Sequence, residues 1–127
     1  LDAKPKAQHF PYIKEGNSDF WMLGWGVPTF DSHYIFNYLL HTNGGSRGSW
    51  NPTGFSNADV DAMIVSLESE TDLAVRDATI AKIWDIVQSE QVHLPIHNQV
   101  LNWGMSEGIN FDVQPEDQPH FQFLTFN

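Results

Sequence analysis

The chain has 127 residues, 41% of them apolar, which is enough for one hydrophobic core and too short for two ordinary domains. Sixteen acidic side chains against six Lys and Arg give a net charge of −10, which repels phosphate backbones and anionic membrane surfaces and argues against a nucleic-acid partner. With no Cys there is no disulfide, thiolate chemistry or Cys-ligated zinc, and no window approaches the roughly 20 apolar residues of a membrane-spanning helix.

From the amino terminus, Leu1, Ala3, Pro5 and Ala7 alternate with Asp2, Lys4, Lys6 and Gln8. The pattern predicts an edge strand, because Pro5 has no amide hydrogen to give a central ladder. Residues 10–15 predict a helical turn or two, with Pro11 at an early position and Gly16 ending it. The stretch DFWMLGWGVPTFD, residues 19–31, follows. Its unbroken run Phe20, Trp21, Met22 and Leu23 predicts a strand covered on both faces and, through the helical crossover, parallel to the first. Gly24 and Gly26 flank Trp25 and Pro28 follows, so the strand empties into a loop that lets backbone approach a ligand closely. Asp31 stands where it caps the next helix. Strand, glycine turn, aromatic side chain and helix start describe the carboxyl edge of an α/β sheet, where ligands bind, and the candidate site begins there.

Tyr34, Ile35, Tyr38 and Leu39 predict one face of a short helix that stops before Asn43, Gly44 and Gly45. Residues 42–54 have the composition of a flexible loop, and its Trp50 must rest on the sheet below or on a ligand. Ser56 is expected to cap the next helix, with Asp59 reaching back as in a capping box and Phe55 stapled onto Val60. Val60, Met63, Ile64 and Leu67 recur at the spacing of a core-facing stripe. Thr71 or Asp72 caps a second helix that carries Leu73, Ile80, Ile83, Trp84 and Val87 on one face to about Gln91. Glu68, Glu70, Asp72 and Asp77 gather acid as helix first turns do, and are not read as a catalytic pair.

Residues 92–103, VHLPIHNQVLNW, predict a strand that Pro95 confines to an edge or a bulge. Pro95 also excludes the helix that would bring His93 and His97 together. Along a strand they stand about 13 Å apart, at a rise of roughly 3.3 Å per residue, so they do not share a metal ion. His97 and Gln99 lie on one polar face directed at whatever Trp25 faces. Toward the carboxyl end, residues 114–118 read as an exposed loop, and Phe121, Phe123 and Thr125 alternate as in a strand. Phe121, Phe123, Leu124 and Phe126 require a surface to pack against.

Taken in order, these segments resemble the C-terminal lobe of the family 5 extracellular solute-binding proteins, the oligopeptide, dipeptide and nickel type that feed ABC importers. Gly24, Trp25, a loop, Asp31 and an apolar helix are similar to that family's glycine-tryptophan segment and its downstream acid. NPTGFSNADVDAMI, residues 51–64, resembles the start of its next helix, Arg76 its recurrent arginine, and HLPIHNQ, residues 93–99, its proline-containing strand. The resemblance implies an α/β fold, part of a periplasmic-binding-protein-like (type II) lobe with a mixed sheet flanked by helices, and residues 1–127 would be a single domain within that lobe. It implies a periplasmic or cell-surface lipoprotein location and three partners: a small solute, peptide by family default, the membrane permease subunits, and the remaining lobe. In peptide-binding relatives an acid three residues after the tryptophan holds the ligand's ammonium group, and here Pro28 takes that place. Asp31, matching the second acid, caps its helix first and offers a carboxylate second.

The residues themselves describe a site that binds without reacting, with no catalytic group, cofactor or metal assigned. Trp25 offers a stacking face, Gly26 and Thr29 close backbone and hydroxyl contacts, Asp31 a carboxylate, and His97 and Gln99 adjustable hydrogen bonds. The rivals are a carbohydrate-binding module or oligosaccharide-binding protein, suggested by Trp21, Trp25, Trp50, Trp84 and Trp103, and a hydrolase using Asp31 with His33 or His97. No nucleophile elbow, metal motif or phosphate loop supports the hydrolase.

Overall fold

Two stripes of apolar side chains, spaced for helices, find each other. Helix α3 (Ala58–Ser66) and helix α4 (Leu73–Ser89) supply Val60, Ile64, Ile83 and Val87, which close with Leu67, Phe36 and Leu40 into one core, none more than 2% exposed. Phe55, Met63, Ile80, Trp84, Ile86 and Val92 border it. Each fully buried aliphatic or aromatic side chain contributes about 1.5–3 kcal/mol gross, so this cluster decides the fold. The computed structural model describes residues 1–115 and 118–127.

Phe36 and Leu40 come from helix α2 (Ser32–Ile35), which widens into a π-helical stretch over Phe36–Leu40, closed by a 2.8 Å bond from the His41 amide to the Phe36 carbonyl. Asp31 caps α2, as expected. The caps of the other helices follow the sequence with one shift. Asp72 accepts from the Ala74 and Val75 amides at the start of α4, whereas α3 is capped by Asn57, one residue later than the expected Ser56. The Ser56 hydroxyl instead lies 2.9 Å from that of Thr42 and ties down the preceding loop. Phe55 packs on the core that contains Val60, as a staple does.

Helix α1 (Lys6–Lys14) replaces the edge strand expected over residues 1–8, with Pro5 at its N-cap. A fixed φ and a missing donor suit the start of a helix as well as the edge of a sheet, and here the helix wins. Gly16, at φ +73°, ends α1 as predicted, its amide bonding to Ile13 and that of Asn17 to Tyr12. Helix α4 ends on the same pair of bonds, Gln91 to Gln88 and Val92 to Val87, but with Gln91 rather than Gly at φ +53°.

The expected strands are where structure and expectation part. Residues 20–23 form no ladder among the described residues, so the parallel pair with residues 1–8 is absent there. Burial alternates from Trp21 to Val27, with Phe20 77% and Met22 66% exposed, so one face is covered rather than two. Residues 92–103 likewise carry no strand, and from Leu94 to Glu107 every residue is exposed. A strand exists only when a neighbouring strand takes its amides and carbonyls, and no described strand does so here. The sheet of the described residues is a two-residue antiparallel pair, β1 (Ile109–Asn110) with β2 (Thr125–Phe126), in register Ile109 to Phe126. Phe121–Phe123 is a 3-10 turn, not a strand, and residues 116 and 117 of the expected loop lie outside the described residues.

Candidate functional site

Trp25 is the centre of an aromatic cluster built from four parts of the chain. The ring of Tyr34 lies 6.2 Å away, that of Tyr38 6.1 Å and that of Trp50 5.9 Å, centroid to centroid. Tyr34 and Tyr38 are one helical turn apart on α2 and 4.9 Å from each other. Phe10 of α1 meets Trp50 at 5.2 Å with planes at 88°, and the Lys14 ammonium sits 3.6 Å above the Trp50 ring. Trp25, Tyr34, Tyr38 and Trp50 are all half-buried. Trp50 thus rests on Trp25 and Phe10 rather than on a sheet.

The loop that carries Trp50 is pinned, not flexible. The Gly48 amide donates to the Asn37 carbonyl at 2.8 Å and the Trp50 amide to Tyr38 at 3.0 Å, so the loop is sewn to α2. Buried Asn51 donates to the carbonyls of His41 and Phe55 and accepts from the Thr53 hydroxyl at 2.7 Å. Asp61 of α3 accepts from the Thr42 amide at 2.9 Å, with His41 Nδ1 3.6 Å away, and Arg47 pairs with Glu68, lowering that carboxyl's pKa by hydrogen bonding. Gly48 is required where it stands: its φ is +63° and a Cβ there would fall 2.2 Å from the His41 carbonyl oxygen. Nothing comparable constrains Gly24 or Gly26, where a Cβ would meet no atom within 4 Å.

Asp31 is fully engaged. Its Oδ1 accepts from the His33 amide at 2.7 Å, and both oxygens accept from Arg76 Nη2, at 2.8 and 2.7 Å. Arg76 Nη1 also donates to the Leu67 carbonyl at 2.6 Å, so one guanidinium joins the start of α2, the end of α3 and the body of α4. The Arg76 hydrogen bond, opposed by partial burial and helped by the His33 amide, holds the Asp31 carboxyl below its ordinary 3.8. The Thr29 hydroxyl accepts from the Asp31 amide at 3.3 Å, and Phe30 adopts φ +53° between them. Val27, Phe30, Asp31, Ser32 and Ile35 line a shallow concavity of about 200 Å³ beside this turn.

Of the six expected ligand-binding residues, Trp25, Gly26, Thr29 and Asp31 fall on one continuous turn leading into α2. His97 and Gln99 lie exposed on the irregular segment after α4, and among the described residues no hydrogen bond or ring contact joins them to Trp25. His93, at the root of that segment, is half-buried and its pKa is lowered by desolvation. Among the described residues, Trp25 Nε1, His33 Nε2 and Asn37 Oδ1 are buried without a protein hydrogen-bond partner. The sequence reading missed Tyr34 and Tyr38 as neighbours of Trp25, and Phe10 and Lys14 as neighbours of Trp50; the i, i+4 tyrosines were the available signal. Among the described residues no three His, Asp or Glu side chains gather as a metal site.

Comparison with protein-family models, with curated proteins and with solved structures finds no match for this chain.

Proposed function

We propose that this chain is part of the C-terminal lobe of an extracytoplasmic solute-binding protein, which takes a peptide or similar small solute and presents it to an ABC permease. The observation that carries the reading is the turn from Trp25 to Asp31. An indole is held half-exposed at the end of an extended apolar run, and the helix behind it is fixed by a carboxylate already committed to Arg76. Such a turn offers a ring face and hydrogen bonds but no free acid or base, which suits binding rather than turnover. The lobe assignment is also supported by where apolar surface is left open. Phe20, Met22, Leu94, Ile96 and Val100, each more than 60% exposed, fall on the two runs that the family resemblance reads as sheet strands. A row of sugar-stacking rings is less well matched, since Trp21, Trp25, Trp50 and Trp84 are half-buried and Trp103 alone of the five is exposed.

The test is a thermal-shift screen of the full-length protein against di- and oligopeptides, oligosaccharides and metal chelates, because a ligand of the folded state raises its stability. Peptides should raise Tm, and Trp25→Ala should weaken that shift while leaving a cooperative transition. Stabilisation by sugars alone would remove the peptide assignment, and no stabilisation by any class would remove the transport reading.

A further inference from the structure

Lys14 is placed oddly for a chain with sixteen carboxylates. Its ammonium lies 3.6 Å above the Trp50 ring, and among the described residues it makes no ion pair. The ring it covers is not isolated. Phe10 and Trp25 pack on Trp50, and Tyr34 and Tyr38 back Trp25, so five aromatic side chains form one continuous electron-rich body open to solvent at Lys14. A cation over an indole gains most when the ring is already partly desolvated, as Trp50 is. Lys14 itself is exposed, in the last turn of α1, and its flexible stem can leave the ring without disturbing the helix.

We infer that the Trp50 face is an organic-ammonium subsite for which Lys14 is the resident competitor, so that the ammonium of an incoming solute replaces the Lys14 ammonium on the ring. Resting on the transport reading for the identity of the natural solute, this assigns its class as an amine. It also supplies an anchor where Pro28 stands in place of the expected acid. The ammonium is held by ring faces in an acidic chain, not by a single carboxylate. Exchange of one ammonium for another needs no charge reorganisation, and the strongly negative chain draws cations toward the surface.

The experiment uses the full-length protein and titrates tetramethylammonium against its uncharged analogue tert-butanol, followed by the indole N–H resonances. The cation should bind and tert-butanol should not. Lys14→Met, which keeps the stem and removes the competitor, should tighten tetramethylammonium binding roughly two- to fivefold, the worth of an exposed cation–π contact. Trp50→Leu should abolish it. Equal or weaker binding in Lys14→Met overturns the inference, and because that variant leaves the ring cluster intact it decides the matter even if Trp50→Leu fails to fold. Trialanine, with only a terminal ammonium, and N-acetyl-lysine amide, with only a side-chain one, then tell which amine is seated. If tetramethylammonium binds as expected but neither of these nor any longer peptide does, the subsite stands and the peptide assignment falls. If peptides bind equally well to wild type, Lys14→Met and Trp50→Leu, the reverse holds.

Discussion

The contact between Asp31 and Arg76 spans 45 residues of sequence and carries two separable functions, and substitution at Asp31 pulls them apart. Asp31→Asn keeps an oxygen for the His33 amide and removes the charge, whereas Asp31→Ala removes both. A cap is worth about 1 kcal/mol. A two-oxygen, charge-assisted pair is worth about 1.5–3 kcal/mol when shielded, but the Asp31 side chain is 37% exposed, so water screens it toward about 1–2 kcal/mol. Asp31→Asn should therefore cost about 1–2 kcal/mol and Asp31→Ala about 2–3 kcal/mol in urea unfolding. Arg76→Met also strips the Leu67 carbonyl at the end of α3 and should cost about 2–3 kcal/mol. The double variant Asp31→Asn with Arg76→Met should fall short of the summed losses by about 1 kcal/mol, since both remove one pair. Additive losses, or Asn as damaging as Ala, would refute this division of labour.

Gly48→Ala should be among the most damaging single changes, about 3 kcal/mol or more, because it combines a positive φ with a Cβ driven into the His41 carbonyl; a chemical-denaturation midpoint within error of wild type would show that the loop is not pinned as described. Gln91→Gly should act in the opposite direction, raising stability by about 0.5–1 kcal/mol by relieving the left-handed residue after α4, and a lowered Tm would count against that helix end. Acid should destabilise in two separated stages. The lowered pKa of His93 makes the unfolded chain the better proton binder as pH falls below the ordinary 6.5, and the lowered pKa of Asp31 does the same below 3.8. Both contributions are complete at neutral pH. His93→Gln should flatten the first stage and Asp31→Asn the second, and unchanged stability-versus-pH curves would assign the acid limb to other groups.

What the sequence made legible was local. The stripe of α3, that of α4 from Ile80 to Val87, the Asp72 and Asp31 caps and the glycine that ends α1 depend on residues within a turn or two of each other and stand where they were expected, whereas Leu73, expected on the α4 stripe, is 73% exposed. Ser56 and Asn57 are adjacent and both of capping type; Asn57 takes the cap of α3, while the Ser56 hydroxyl meets that of Thr42, 14 residues back. The Asp31 cap could be read from its neighbours, but its ion pair could not, because nothing near residue 31 names a guanidinium on α4. The loop of residues 42–54 was misread for the same reason. Its composition promises freedom, and its order comes from Asn37, Tyr38 and Asp61, which accept its amides from outside the loop.

The strands failed differently. An apolar run states that side chains want cover, and says nothing of which neighbour hydrogen-bonds the backbone between them. In residues 21–27 the period-two burial of a strand is present while the ladder is not, so conformation and side-chain cover have been obtained without a partner strand. The rings of Tyr34, Tyr38 and Trp50 cover Trp25 on one side, and His9 of α1 engages the Met22 carbonyl. The uncovered side, Phe20 and Met22, is the costly one, since each exposed large apolar side chain forgoes about 1.5–3 kcal/mol that burial would return. Residues 94–103 repeat the pattern with Leu94, Ile96 and Val100, on a stretch that Pro95 bars from the middle of a ladder but not from its edge. Under the lobe proposal, these two runs need the same remedy, a neighbouring strand that satisfies the backbone and an apolar layer that covers the open face. Trp25 stands at the end of the first run, so completing that layer would also set how deep the indole lies in the ligand cleft.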